Sequence, residues 1–159
     1  MKIGITGHQE REGIDWRWVR HVLHAEFDKI GKVDRVLSSL AAGSDQLFAE
    51  VALSLGIPVT AVIPVEDYAR FFKGSSLDNY TKLLSRCEPL RLAGSQDPER
   101  AFYEAGKLIV DQADVMFAIW DGEKAEGLGG TGDIVMYARS KGKPVVHIEP
   151  INRFVHRLG

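Results

Sequence analysis

Short β-branched and aliphatic runs alternate along the whole chain with segments whose apolar residues recur at three- and four-residue steps, and few architectures accommodate that pattern. Residues 2–6 (KIGIT) read as a strand stopped by Gly7, and further strands are expected at 33–40, 57–63 (IPVTAVI), 114–120 (DVMFAIW) and 144–148. Between them, Trp16, Val19, Leu23, Phe27 and Ile30 mark one helix face, ended by Gly31. Ser44 reads as the cap of a second helix with Leu47, Phe48, Val51 and Leu55 inward and Gly56 as its stop. Asp97-Pro98 opens a third helix carrying Phe102, Ala105 and Ile109, and a fourth is expected over 131–140. Residues 64–84 read as a loop with one or two short helices, whose aromatic residues Tyr68, Phe71 and Phe72 suit packing better than stacking on a ligand, and 88–93 as a short strand. The run DVMFAIW is apolar almost throughout, as in a strand covered on both faces. The expected fold is therefore α/β: a doubly wound, mainly parallel sheet with helices on both faces.

The chain has 159 residues, enough for one domain with its own core, placed at 1–149 with a tail at 150–159 that shows no clear period. Its 20 Lys+Arg against 22 Asp+Glu give a net charge of -2, which argues against nucleic acid or an anionic membrane as partner. No apolar run approaches the roughly 18 residues of a membrane span. One cysteine, Cys87, and the lack of a signal-peptide pattern place the expected location in the cytoplasm. Glycine is in excess, with 16 residues, five of them between Gly122 and Gly132.

In open parallel sheets ligands bind beyond the carboxyl ends of the strands, so the strand-to-helix loops matter most. Three of them carry polar chemistry. The first holds Gly7, His8 and Arg11; the second holds Gly43, Ser44 and Asp45 at a helix start; the third holds Gly129, Gly130, Thr131, Gly132 and Asp133. A helix N-terminus presents free N–H groups and a positive dipole end to an anion. An ordinary turn needs one or two glycines, so four among residues 127–132 indicate a backbone that approaches something closely. Gly127, Gly129 and Gly132 also match G-x-G-x-x-G, but six residues separate Trp120 from Gly127, where the dinucleotide fingerprint has its first glycine directly after the strand. His21 and His24, three apart on a helix, read as a solvated face, and neither a metal nor a cofactor is implied. Asp121 stands just past a buried strand, where it could serve as a turn residue or as a carboxylate base.

Taken together, ITGH at the first strand end, SSLAAGSDQLFAEVALSLGIPVTAVIP, and WDG followed by GLGGTGDIVMYARSKGKPVV resemble the SLOG superfamily of Rossmann-like domains over residues 2 to 148. That group includes the Lonely Guy phosphoribohydrolases, often misnamed lysine decarboxylases, and the DNA-processing protein A family. The resemblance implies a nucleotide-derived ligand above Gly43, Ser44 and Asp45 and above Gly129, Gly130 and Thr131, often in a dimer or higher homo-oligomer. The phosphoribohydrolases carry P-G-G-x-G-T-x-x-E; this chain has neither the proline nor the glutamate, the position three after Thr131 being Ile134. Asp133 is the nearest carboxylate, but one position on a helix turns a side chain by about 100°.

The leading expectation is a protein that binds a small nucleotide or an ADP-ribose-like molecule, with phosphate on the two helix N-termini. The alternative is an enzyme hydrolysing or transferring at a nucleoside N-glycosidic bond, with Asp133 and Asp121 as its catalytic carboxylates and Asp45 as a further candidate. A ligand-free scaffold is the third reading.

Overall fold

In a computed structural model, residues 1–94, 97–125 and 127–159 are described. Seven strands among them build one sheet: β1 (Lys2–Gly7), β2 (Arg35–Ser38), β3 (Val59–Ile63), β4 (Glu88–Arg91), β5 (Val115–Ile119), β6 (Val145–Glu149) and β7 (Phe154–Leu158). Their order is β4-β3-β2-β1-β5-β6-β7. Every pairing is parallel except β6 with β7. From β1 the chain winds outward through β2, β3 and β4, then crosses back to lay β5 on the other side of β1. The β1/β5 boundary is thus the switch point of a doubly wound sheet, where a crevice opens at the carboxyl ends of the strands.

Side chains that alternate along the strands divide the core into two layers. Ile3, Ile5, Val36 and Phe117 pack under α1 (Trp16–Ile30), α2 (Ser44–Ser54) and α3 (Gly74–Leu84). Leu37, Val62, Met116 and Ala118 pack under α4 (Pro98–Gln112) and α5 (Thr131–Ser140). Close approach on this second face depends on small residues: a Cβ on Gly4 would lie 2.5 Å from Ile109 Cγ2, and one on Gly106 would lie 2.4 Å from Ile134 Cδ1. The caps explain why α1 and α4 start where they do. Asp15 accepts a hydrogen bond from Trp18 N–H, and Asp97 accepts one from Glu99 N–H, beside proline at the first helical position.

Two local expectations fail. Ser44 is not a cap: Gly43 occupies that position with φ 82°, and Ser44, fully buried, donates its hydroxyl to the His8 carbonyl at 2.6 Å. Leu55, expected inward, follows α2 and is 47% exposed. The segment 150–159, without a clear period, contains β7. Its sequence FVHRL is mostly exposed on an edge, so burial leaves little imprint, yet its Arg157 pairs with the buried Glu26 of α1 at 2.5 Å. No helix among the described residues is long and apolar enough to cross a membrane.

Candidate functional site

The loops after β1, β2, β3 and β5, together with α4, enclose a cavity of about 440 Å³ at the switch point. Gly7, His8, Arg11, Asp45, Gly129, Gly130, Thr131 and Gly132 line it, as does Lys124. Gly43 and Ser44 do not; they lock the two neighbouring loops together. A Cβ on Gly43 would lie 2.3 Å from the Gln9 carbonyl oxygen, and Ser44 N–H donates to the His8 carbonyl at 3.2 Å. The tight β2-to-α2 passage is held by Ser38, whose hydroxyl donates to the Asp45 carbonyl at 3.0 Å and accepts from Leu40 N–H. Gln46 adds a donor to the carbonyls of Leu40 and Ser76 at 3.1 and 3.0 Å. Leu40 sits at φ 57°, an uncommon conformation for leucine that these bonds fix in place.

The glycine cluster approaches its own loop as much as it faces the cavity. A Cβ on Gly130 would fall 2.8 Å from Ala125 Cβ, one on Gly132 2.8 Å from Ala125 N, and one on Gly129 3.1 Å from Tyr103. Only glycine lets segment 123–125 and α4 pack this tightly against the start of α5. Gly130 caps α5 with no side-chain acceptor, while the N–H groups of Asp133 and Ile134 turn back to the Gly130 carbonyl. Among the described residues, no acceptor meets the N–H groups of Thr131 and Gly132, which sit on the cavity wall.

Neither expected catalytic carboxylate lies on the cavity wall. Asp133 accepts from Gly129 N–H at 3.2 Å and so latches the glycine loop. Asp121 is ion-paired with Arg11, and its carboxylate accepts from Glu123 N–H at 3.0 Å. Burial alone would raise its pKa, but hydrogen bonds from Glu123 N–H, His8 and Arg11 hold it below the ordinary carboxylate value. His8 Nε2 lies 3.1 Å from both Asp121 Oδ1 and Asp121 N. Burial lowers the His8 pKa against the opposing pull of Asp121, so a neutral imidazole fits this place.

Asp45, like Glu99 and Glu123, lines the cavity. It is 9% exposed, and its pKa is raised to about 7 by burial, opposed only in part by a hydrogen bond from the Ala41 backbone. No cation is paired with it among the described residues. Tyr68 feels its charge from above, in the 3-10 turn Tyr68–Phe71 that follows β3. This end of the cavity is aromatic. Tyr68, Phe72 and Tyr80 form a packed group, with Phe72 stacked on Tyr80 at 4.4 Å, as the packing role expected for 64–84 requires. Phe71 and Phe102 meet edge to face at 5.0 Å, and Phe71 remains 39% exposed on the cavity wall. The sequence offers stacking for Phe71 only as the weaker alternative to packing, and its pairing with Phe102 is hidden because Phe102 comes from a helix 31 residues further on and reads there as core.

Elsewhere, Cys87 is half-buried with its thiol raised to about 11 by burial, which leaves no nucleophile at neutral pH. His21 and His24 lie in an open groove beside Gly31 and Gly56, away from the cavity.

The sequence matches no protein-family model, and no curated protein matches it. Solved structures do match. DNA processing protein A from Streptococcus pneumoniae is 18% identical with a TM-score of 0.66, over 93% of this chain and 50% of that one. The chain therefore spans about half the length of that relative. DNA processing protein A from Helicobacter pylori, which binds single-stranded DNA, is 17% identical with a TM-score of 0.65, over 96% of this chain and 67% of that one. The molybdenum cofactor carrier protein from Chlamydomonas reinhardtii is 17% identical with a TM-score of 0.56, over 92% of this chain and 75% of that one. The likeness to a single-stranded-DNA-binding protein overturns the expectation, drawn from net charge, that nucleic acid is an unlikely partner. Net charge sums over the whole surface, whereas a strand is held by local amides, cations and stacking rings.

Proposed function

We propose that the chain, which shares its Rossmann-like fold with DNA processing protein A and the molybdenum cofactor carrier protein, is a domain of the SLOG superfamily whose switch-point cavity binds a nucleotide or nucleotide derivative, free or as one unit of a single strand. The observation that carries this reading is a single cavity with two chemically different ends. At the β1/β5 end, the N–H groups of Thr131 and Gly132, the α5 dipole and the cations Arg11 and Lys124 suit a phosphate. At the β2/β3 end, Phe71 and Phe102 offer a stacking wall for a base. The first turn of α2 takes no phosphate in this reading, because Gly43 and Ser44 are sealed against the β1 loop and Asp45 would repel an anion.

The engagement of Asp133 and Asp121 favours the proposal over glycosidic-bond cleavage by either of them. That chemistry needs a carboxylate beside the ribose, and both are held by other partners.

Dye-monitored melting with nucleoside mono-, di- and triphosphates and a short single-stranded oligonucleotide tests the proposal. Ligand at about 100 times Kd stabilises by ~2.7 kcal/mol, which is a rise of about 5–10 °C in a domain of this size. Phe71→Ala should cost the unliganded fold about 1–2 kcal/mol, since the ring is part exposed but packed on Phe102, and weaken binding by about 1–3 kcal/mol, read as a smaller ligand-induced rise in Tm. No shift with any member of the panel would refute the reading and favour a ligand-free scaffold.

A further inference from the structure

Resting on the nucleotide reading above, we infer that Asp45 reads the base, selecting a heterocycle that presents two adjacent hydrogen-bond donors, the ring N–H and exocyclic NH₂ of a guanine-type edge. Three observations meet at this residue. It lines the same cavity as Thr131 and Gly132, and Tyr68 of the aromatic group feels its charge, so a ligand with phosphate on α5 and its base among the aromatic residues brings that base to Asp45. It is buried without a cationic partner among the described residues, and its carboxyl accepts a hydrogen bond from the Ala41 backbone, which leaves further acceptor sites on its two oxygens for a ligand's donors. And its place is fixed: Ser38 holds the Asp45 backbone carbonyl, and Gln46 ties the same turn to Leu40 and Ser76.

The edge chemistry follows from donor and acceptor inventories. A carboxylate is acceptor-only with two oxygens side by side, which matches guanine's N1–H and N2–H₂ as a parallel pair. Hypoxanthine keeps one of those donors. Adenine offers one donor beside a ring acceptor, and so leaves one carboxylate oxygen facing a lone pair. Charge-assisted bidentate pairs are the strong ones, and a buried acceptor left unmet is costly. The other charged or titratable groups on the cavity wall are His8 and Arg11 after β1, Tyr68 after β3, Glu99 on α4, and Glu123 and Lys124 after β5. Of these, Tyr68 is the one whose pKa registers the Asp45 charge.

Calorimetric titration at pH 8 with 5′-GMP, 5′-IMP, 5′-AMP and 5′-XMP tests the assignment on the intact chain and on Asp45→Asn. The intact chain should bind GMP at least tenfold tighter than IMP or AMP. The asparagine offers one acceptor and one donor, which matches xanthine's N1–H and O2, so the variant should lose at least tenfold for GMP and gain for XMP. An oligothymidylate carrying one guanine, compared with the all-thymine strand, separates a free nucleotide from a strand unit as the source of the same edge; tighter binding of the guanine strand supports the assignment. Equal binding of all four nucleotides by the intact chain would overturn base reading by Asp45 while leaving the nucleotide site standing. Binding of none would refute both. The series on the intact chain decides the question even if the variant fails to fold.

Discussion

Gly43→Ala is expected to be the most damaging single methyl in the protein. Gly43 has φ 82° and ψ -118°, a conformation that a side chain rarely adopts, at a strain of about 1–3 kcal/mol. The added Cβ would also lie 2.3 Å from the Gln9 carbonyl oxygen and 2.8 Å from Gln9 C and Cα. These are backbone atoms of a loop already tied to α2 by two bonds from Ser44 to the His8 carbonyl, so it cannot yield without losing them. Overpacking of this kind costs about 1–3 kcal/mol more. The sum, about 2–6 kcal/mol, corresponds to a fall in Tm of roughly 4–24 °C. Gly31→Ala is the matched control. Gly31 has the same φ of 82°, but a Cβ there meets nothing within 4 Å, so it should show the backbone strain alone. If thermal unfolding gives the two variants equal losses, the contact with Gln9 is not what demands glycine at position 43.

Asp45→Asn, by contrast, should stabilise the protein above neutral pH. The carboxyl titrates near 3.8 when solvated and at about 7 in the fold. Below pH 4 both states carry the proton, and the residue is neutral to stability. Between pH 4 and 7 the unfolded chain ionises while the folded one holds its proton, so stability falls as pH rises. Above pH 7 the full penalty applies, of order 4 kcal/mol for a shift of this size. Asparagine keeps the shape without the charge. Melting curves at pH 8 should show the variant about 8–16 °C more stable, with the gain vanishing near pH 4. A variant equally stable or less stable at pH 8 would mean that the buried carboxylate is compensated by contacts the structure does not contain. A residue that lowers stability at the wall of a cavity is one whose place is better explained by binding than by folding.

The layered fold was legible because two periods, near two and near 3.6, are written in the strands and helices that face the core. α5 lies at 131–140 as expected, since Gly130, Thr131 and the closing Lys141-Gly142 punctuate it in sequence. β7 was not legible: an edge strand exposes most of its residues, and FVHRL carries no alternation that burial would impose. The three loops were recognised as sharing one sheet edge, but their inner logic was hidden. Nothing local distinguishes Asp45, in the first turn of a helix, from a capping or dipole-neutralising residue. Tyr68, which feels its charge in the fold, arrives from the loop after a different strand. The glycines of 127–132 announced close approach correctly, yet the partners, Ala125 and Tyr103, lie in a preceding loop and in α4. Asp133 and Asp121 stood out as carboxylates at the right strand ends. Their engagement with Gly129 N–H and Arg11 depends on side-chain direction, which sequence spacing does not encode.

The central claim is the orientation of a nucleotide across the switch point, phosphate on α5 and base on the aromatic wall. An amide and aromatic NMR titration of the intact chain with a 5′-nucleotide tests it most directly. The account predicts the largest backbone shifts at Thr131 and Gly132, together with ring-proton shifts at Phe71 and Phe102, all saturating with one Kd. Shifts confined to other surfaces, or none at millimolar nucleotide, would contradict it.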